Sequence, residues 1–267
     1  IISYLTLKKK NEAVILKYQA DLEHKNLALI KSNVELASFA YIASHDLQEP
    51  LRKIQTFASR IMEKEVDKLS ENGKDHFRRM QSAAKRMQTL IEDLLSYSRT
   101  NTLDRKYQVT DLNQLVEEVV GDLKEELLMK HARVETNKMH NLSIIPFQFR
   151  QLLHNLISNS LKFSGSAAPR IKIESEIAMG SHFVNDKLSA DREYCHISVA
   201  DNGIGFEAQY SEKIFELFQR LHGKSQYNGT GIGLAIVKKI VENHNGIITA
   251  KGELNQGATF DIYVPTS

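Results

Sequence analysis

The chain has 267 residues, 42% of them hydrophobic, which is enough for one large or two modest domains with real cores. Its 35 basic and 33 acidic side chains leave a formal net charge of +2, and no basic stripe carries interleaved aromatics, so no nucleic-acid partner is indicated. The single cysteine, Cys195, excludes an intrachain disulfide framework and suits a reducing compartment.

In chain order, residues 1–7 are apolar and Lys8, Lys9 and Lys10 follow. The stretch reads as the end of a membrane helix with its positive flank, or as the ordinary start of a fragment. Either way the expectation is a cytoplasmic portion, tied to a membrane only through a missing N-terminal part. Residues 11–43 hold no Gly or Pro, and Ile15, Leu22, Leu29, Leu36 and Ala43 recur every seven residues. That heptad seam predicts a coiled coil. Gln19, Asn26, Asn33 and Ala40 fill the second core position. Polar seam residues weaken pairing but fix register and favour a parallel dimer. A solvated linker helix is the plainer reading.

The same helix contains Ser44-His45-Asp46-Leu47-Gln48-Glu49-Pro50. Pro50 has no N–H, so the Asp46 carbonyl loses its helical partner and a bend is expected one turn past His45. An unperturbed imidazole, with a pKa of about 6.5, is a usable nucleophile near neutral pH. Alone, the segment reads more readily as a surface histidine beside a proline kink. The helix is expected to reach about Lys64. Ser70 is placed to cap a second helix, with the apolar stripe Phe77, Met80, Ala84, Met87, Ile91 and Leu94. One hairpin cannot cover both of its apolar faces, so two chains forming a four-helix bundle is the expected solution. Residues 99–106 are polar and non-periodic and read as a linker.

The pattern then becomes mixed. Asp111 is placed to cap one helix over 112–130. Strands are expected at 132–136 and 142–145. A helix starts at Pro146 with Phe149, Leu152, Leu153, Leu156, Ile157 and Leu161 inward. Strands at 170–177 and 194–200 flank a polar, mobile loop at 179–192. A helix at 232–243 and strands at 246–250 and 259–264 close the chain. The expected division is a signalling helix (1–35), an all-α hairpin (36–100), a linker (101–108) and an α+β domain (109–267).

Three stretches of the second half carry chemistry. Asn155 and Asn159 leave one helix face, with Lys162 three residues on. An amide oxygen is a ligand for Mg²⁺, which keeps waters and binds phosphate oxygens, and a lysine neutralises phosphate. Buried hydrogen-bonding amides explain the pair equally well. Asp201-Asn202-Gly203-Ile204-Gly205-Phe206 follows a strand. Its carboxylate is an acceptor for the amino protons of a base, and its glycines let backbone approach a ring. Asn-Gly is also a plain hairpin turn signal. Gly229-Thr230-Gly231-Ile232-Gly233-Leu234 opens a helix, where free N–H groups bind phosphate. It is neither a Walker loop nor a Rossmann turn. Between them, Phe215-Glu216-Leu217-Phe218 and the polar residues 219–228 read as a lid anchored by Phe215 and Phe218, or as two rings in a core.

In this order, the motifs resemble those of the sensor histidine kinases of two-component signalling. Residues 44–50 resemble the phosphoacceptor box, 155–162 the asparagine box, and 201–205 the first glycine box. Residues 215–218 resemble the phenylalanine box, 229–233 the second glycine box, and Gly257-Ala258-Thr259-Phe260 the closing strand. The resemblance spans residue 36 to the end. It implies a dimeric helical hairpin, the expected four-helix bundle, followed by the two-layer α+β ATP-binding sandwich of gyrase, Hsp90 and MutL, while the N-terminal coiled coil rests on the heptads alone. It implies ATP and Mg²⁺, a homodimer, and the receiver domain of a response regulator as partner. By position it makes His45 the nucleophile that takes a phosphoryl group from ATP and passes it to an aspartate. Asp46 is then the orienting or proton-accepting acid, Asn159 the Mg²⁺ ligand, Asn155 a supporting residue and Lys162 a phosphate contact. Asp201 reads adenine, and Gly203, Gly205, Gly229, Thr230, Gly231 and Gly233 shape the pocket and lid. Spacing leaves the acid open, because neighbouring helix residues point about 100° apart and Glu49, four on, shares the face of His45. An ATPase or serine-directed kinase of the same nucleotide fold, and a non-enzymatic dimeric scaffold, remain as alternatives.

Overall fold

The computed structural model describes residues 2–99, 106–221 and 229–266. Within 2–45 it describes side chains only at 15, 17–28, 31, 32, 35, 42 and 44, and that of Arg99 is also not covered. Most of the expected linker and of the 219–228 lid lie outside the described residues. So do the side chains of His45 and of Leu29, Asn33, Leu36, Ala40 and Ala43 in the heptad seam.

Helix α1 (Ile2–Lys64) runs unbroken through Pro50. A single turn at Val66–Lys68 leads to α2 (Glu71–Arg99), whose start is capped by the Gly73 N–H donating to Ser70 Oγ at 3.1 Å. Gln55 Nε2 donates to Gln88 Oε1 at 3.2 Å and Gln81 Nε2 to Ser59 Oγ at 3.1 Å, an antiparallel register. Leu51, Ala84 and Ile91 form the buried seam, with Leu95 against it. The expected α2 stripe is therefore split. Ala84 and Ile91 are buried, whereas Met80 and Met87 are 45% and 52% exposed, and Leu47, Ile54 and Phe57 of α1 are exposed too. A lone pair of helices has one mutual seam, and a second apolar face needs another layer.

The second half begins with β1 (Gln108–Asp111), which starts at the last residue of the expected linker and pairs antiparallel with β3 (Asn141–Ile144). Four residues with mostly exposed side chains carry too little pattern to announce a strand. Asp111 then caps α3 (Leu112–Asp122), its carboxylate accepting from the Asn113 N–H at 2.8 Å. The single helix expected over 112–130 is two, because Leu123 (φ −92°, ψ 8°) turns the chain into α4 (Lys124–Met129). Gly121, costly in a helix, sits just before the break.

A five-stranded sheet follows the order β2-β4-β5-β7-β6. It comprises β2 (Arg133–Thr136), β4 (Arg170–Met179), β5 (Glu193–Asp201), β6 (Ile247–Glu253) and β7 (Gly257–Pro265). The β2–β4 pair is parallel and the rest are antiparallel. Helices α3, α5 (Pro146–Lys162) and α6 (Gly233–Asn243) join its inner face in one core. Strand alternation sorts the residues: Cys195, Ile197 and Val199 of β5 and Phe260, Ile262 and Val264 of β7 belong to that core. Tyr194 and Tyr263, on the other face, form a separate cluster with Leu188, Phe183 and Ile247. The 179–192 loop thus folds back through one turn at Gly180–His182 and is anchored by Phe183 and Leu188. On that face His196 lies 2.8 Å from Asp261 and 3.4 Å from Glu176, with the Tyr263 ring stacked on it at 4.6 Å.

Candidate functional site

Helix α5 buries Phe149, Leu152, Leu153, Leu156, Ile157 and Leu161 as its spacing dictates, which turns the intervening polar residues outward. His154, Asn155, Ser158, Asn159 and Lys162 then line a cavity of about 360 Å³. Asn155 Nδ2 is buried without a hydrogen-bond partner among the described residues. An orphaned buried amide costs about 1–3 kcal/mol, and such costs persist where a ligand repays them.

Asp201 ends β5 at one side of the cavity. Its Oδ1 accepts from the Gly203 N–H at 2.9 Å and the Ala258 N–H at 3.3 Å, and Ser160 Oγ lies 3.0 Å from Oδ2. Burial raises its pKa from the ordinary carboxylate value, against those hydrogen bonds. The neighbouring glycines pack backbone on backbone. A Cβ on Gly203 would fall 2.6 Å from Phe163 O, and one on Gly205, at φ +60°, would strike the Glu253 carbonyl. Close chain packing, more than approach to a ring, fixes these two positions.

At the other side, α6 opens with Gly233 beside Asn155; a Cβ there would lie 3.5 Å from Asn155 Oδ1. The first N–H groups of α6 are the ordinary orphan donors of a helix start. Gly231 at φ +76° passes under the backbone of Phe218 and Gln219. Lys162 reaches towards Gly229, and its pKa is lowered, first by burial and then by Arg220. Thr89 and Asp93 of α2 complete the wall. Asp93 accepts from Thr230 Oγ1 at 2.5 Å, and burial raises its pKa. A further bond joins Gln151 of α5 to Ser96 of α2.

The structure thus brings Asn155, Asn159, Lys162, Asp201, Gly205, Gly229, Thr230, Gly231 and Gly233 to one cavity. Gly203 supports it from behind. Phe215 is buried, edge-on to Phe260 at 6.5 Å, while Phe218 is 56% exposed at φ +63° and neither ring lines the cavity. His45 and Asp46 lie on α1; Asp46 is not among the lining residues, and the His45 side chain lies outside the described residues. Asp46 is exposed, as are Leu47, Glu49 and Pro50. Glu49 pairs with Lys53 at 2.6 Å, an exposed i,i+4 ion pair. Sequence reasoning missed Ser160, Thr89 and Asp93. Ser160 had a usable signal, one residue past Asn159 on the inner helix; the two α2 residues had none.

Residues 35–103 match the family model described as the His Kinase A (phospho-acceptor) domain. Residues 145–267 match that of the histidine kinase-, DNA gyrase B- and HSP90-like ATPase. The chain is 36% identical over 265 residues to the phytochrome-like protein Cph1 of Synechocystis sp., covering 99% of this chain and 34% of that protein. It is 35% identical over 261 residues to cyanobacterial phytochrome A of Nostoc sp., covering 98% and 32%. It therefore spans about a third of the length of these relatives. Among solved structures, full-length ShkA in complex with AMPPNP aligns with a TM-score of 0.62 at 21% identity, over 86% of this chain and 46% of that one. Histidine kinase ThkA in complex with response regulator protein TrrA aligns with a TM-score of 0.55 at 23% identity, over 86% and 61%. At these identities the structural likeness shows the fold alone.

Proposed function

The chain belongs to the histidine kinases of two-component systems, and from that premise we propose that it transfers the γ-phosphoryl group of ATP to His45 and then to an aspartate of a response-regulator receiver domain. The observation that carries this reading is the cavity where the asparagine face of α5, Asp201 and the glycine-opened start of α6 converge. Asp201 faces the base end as an acceptor for the adenine amino group. Lys162 and the first amides of α6 face the phosphate end. The orphaned Asn155 amide fits a site that a polyphosphate and its cation complete. Asn159 would hold Mg²⁺ through its amide oxygen, and the ion would neutralise charge on the phosphates.

The transfer forms a bond between a His45 nitrogen and γ-phosphorus and breaks the bond to the leaving ADP oxygen. The imidazole proton passes to a carboxylate, for which Asp46 is the proposed acceptor and Glu49 the rival on the same face. The exposed apolar side chains Leu47, Ile54, Phe57, Met80 and Met87 support a homodimer in which a second hairpin covers them. We divide the chain into a signalling helix to residue 35, a phosphoacceptor hairpin over 36–100 and an ATP-binding sandwich from Gln108 onward. Among the described residues no helix is long and apolar enough to cross a membrane. ATP as substrate and a free Cys195 suit a cytoplasmic location.

A serine-directed kinase of this fold would use the same cavity but have no need of His45. Labelling with γ-labelled ATP separates the two. Phosphohistidine is lost in acid and kept in base, so an acid-labile, base-stable label is expected. A label with the opposite stability would replace this reading with a serine-directed one.

A further inference from the structure

A buried histidine joins the two cavity helices at their far ends. His244 follows the last turn of α6 and is 3% exposed. Its Nε2 accepts from the Ile145 N–H at 2.9 Å, where Ile145 precedes the first turn of α5. Its Nδ1 lies 2.7 Å from the Ile240 carbonyl of α6. A backbone amide only donates and a carbonyl only accepts, so Nδ1 carries the proton and Nε2 the lone pair. A doubly protonated ring would set two donors against each other at Ile145. Phe149 of α5 and Tyr107 pack edge-on against the ring at 4.9 and 5.3 Å. Tyr107 Oη donates to the Asn243 carbonyl at 2.8 Å, and Asn243 Nδ2 to the buried Gln148 of α5 at 3.3 Å.

The phosphate end of the cavity depends on how these two helices sit relative to each other. The 11 residues of α6 span about 16 Å, so a tilt of about 10° at His244 moves the other end by about 3 Å. A shift of that size breaks hydrogen bonds to a phosphate, which need heavy atoms about 3 Å apart. Asp201 stands on β5 and accepts from Gly203, from Ala258 of β7 and from Ser160 of α5, so the sheet and α5 hold it while α6 is the element that tilts.

We propose that His244, as its neutral Nδ1–H tautomer, is a positioning residue for the phosphate subsite, holding the glycine-opened start of α6 in register with Asn155, Asn159 and Lys162 of α5. The inference rests on the nucleotide reading above. It predicts that damage to the joint separates affinity for phosphate from affinity for the base, which a general loss of stability does not do.

The test is titration of ATP and of adenosine, by NMR, into the wild-type chain, His244→Phe and His244→Gln, with ring ¹⁵N shifts recorded in the wild type. His244→Phe keeps the ring packing and removes both nitrogen bonds; His244→Gln restores an acceptor. ATP affinity is expected to fall about tenfold in His244→Phe, with adenosine affinity within twofold of wild type, and ATP affinity to recover partly in His244→Gln. Should His244→Phe not fold, Tyr107→Phe takes its place, with a roughly threefold loss for ATP alone. Equal losses for ATP and adenosine, an unchanged ATP affinity in a folded variant, or an Nε2–H tautomer would each overturn the proposal. A wild-type chain that binds ATP no better than adenosine would instead remove the nucleotide reading itself.

Discussion

Asp201 is a buried carboxylate whose cost the proposed adenine contact would repay. Burial raises its pKa, and three protein donors hold it in place without exhausting a carboxylate's acceptor capacity. Asp201→Asn keeps one oxygen for Gly203 and Ala258 but turns an amide donor towards the base. A lost hydrogen bond to a charged group is worth roughly 1.5–3 kcal/mol, so ATP affinity is expected to fall about tenfold or more. Titration of a fluorescent ATP analogue checks this, and unchanged affinity with an intact fold would move adenine recognition elsewhere. On the outer sheet face, burial of His196 favours its neutral form, but Asp261 and Glu176 outweigh burial and raise its pKa. The folded chain then holds that proton more tightly than the unfolded chain. The resulting stability is full below about pH 6.5 and is lost as pH rises through the higher folded value. Denaturant midpoints measured from pH 6 to 9 are expected to fall more steeply for wild type than for His196→Phe, which keeps a ring on Tyr263. Parallel curves would show that the ion pair contributes nothing.

Among the elements, those with a strict period were legible in advance. The i, i+4 pair Asn155 and Asn159 and the apolar side of α5 follow from helical spacing alone. β4, β5 and β7 follow from strand alternation. What stayed hidden lacked a local pattern. β1 is too short, the break at Leu123 lies inside an apolar helical run, and the anchoring of the 179–192 loop depends on Tyr194 and Tyr263 beyond it. His244 comes just after the last turn of a periodic helix, and only the fold shows that both its nitrogens are used. The N-terminal part of α1 stands on its heptads. Ile15 and Leu22 are 56% and 65% exposed in a single chain, which suits a seam that a partner covers and a solvated linker helix alike. Removing residues 1–35 is expected to leave a folded, nucleotide-binding protein with weakened dimerisation and an altered labelling rate. Sedimentation and labelling measured together decide it, and no change in either would reduce that helix to a passive connector.

Across the whole molecule, the proposed phosphoryl transfer requires two separated parts to meet. The residues proposed to face the nucleotide belong to the sandwich, with Thr89 and Asp93 of α2 completing the cavity wall, whereas His45 lies on α1. The sandwich instead touches α2 through Thr230 with Asp93 and Gln151 with Ser96. Thr230 and Asp93 are 137 residues apart in sequence, a pairing no local motif announces. Because His45 lies on α1 and the proposed nucleotide motifs lie in the sandwich, its loss is predicted to abolish phosphorylation without touching nucleotide affinity. The direct measurement is labelling from γ-labelled ATP in wild type and His45→Gln, with ATP affinity determined on the same preparations. The predicted result is an acid-labile label on wild type, none on His45→Gln, and equal ATP affinity for both. Persistence of acid-labile label on His45→Gln would contradict it and transfer the role to another of the chain's histidines.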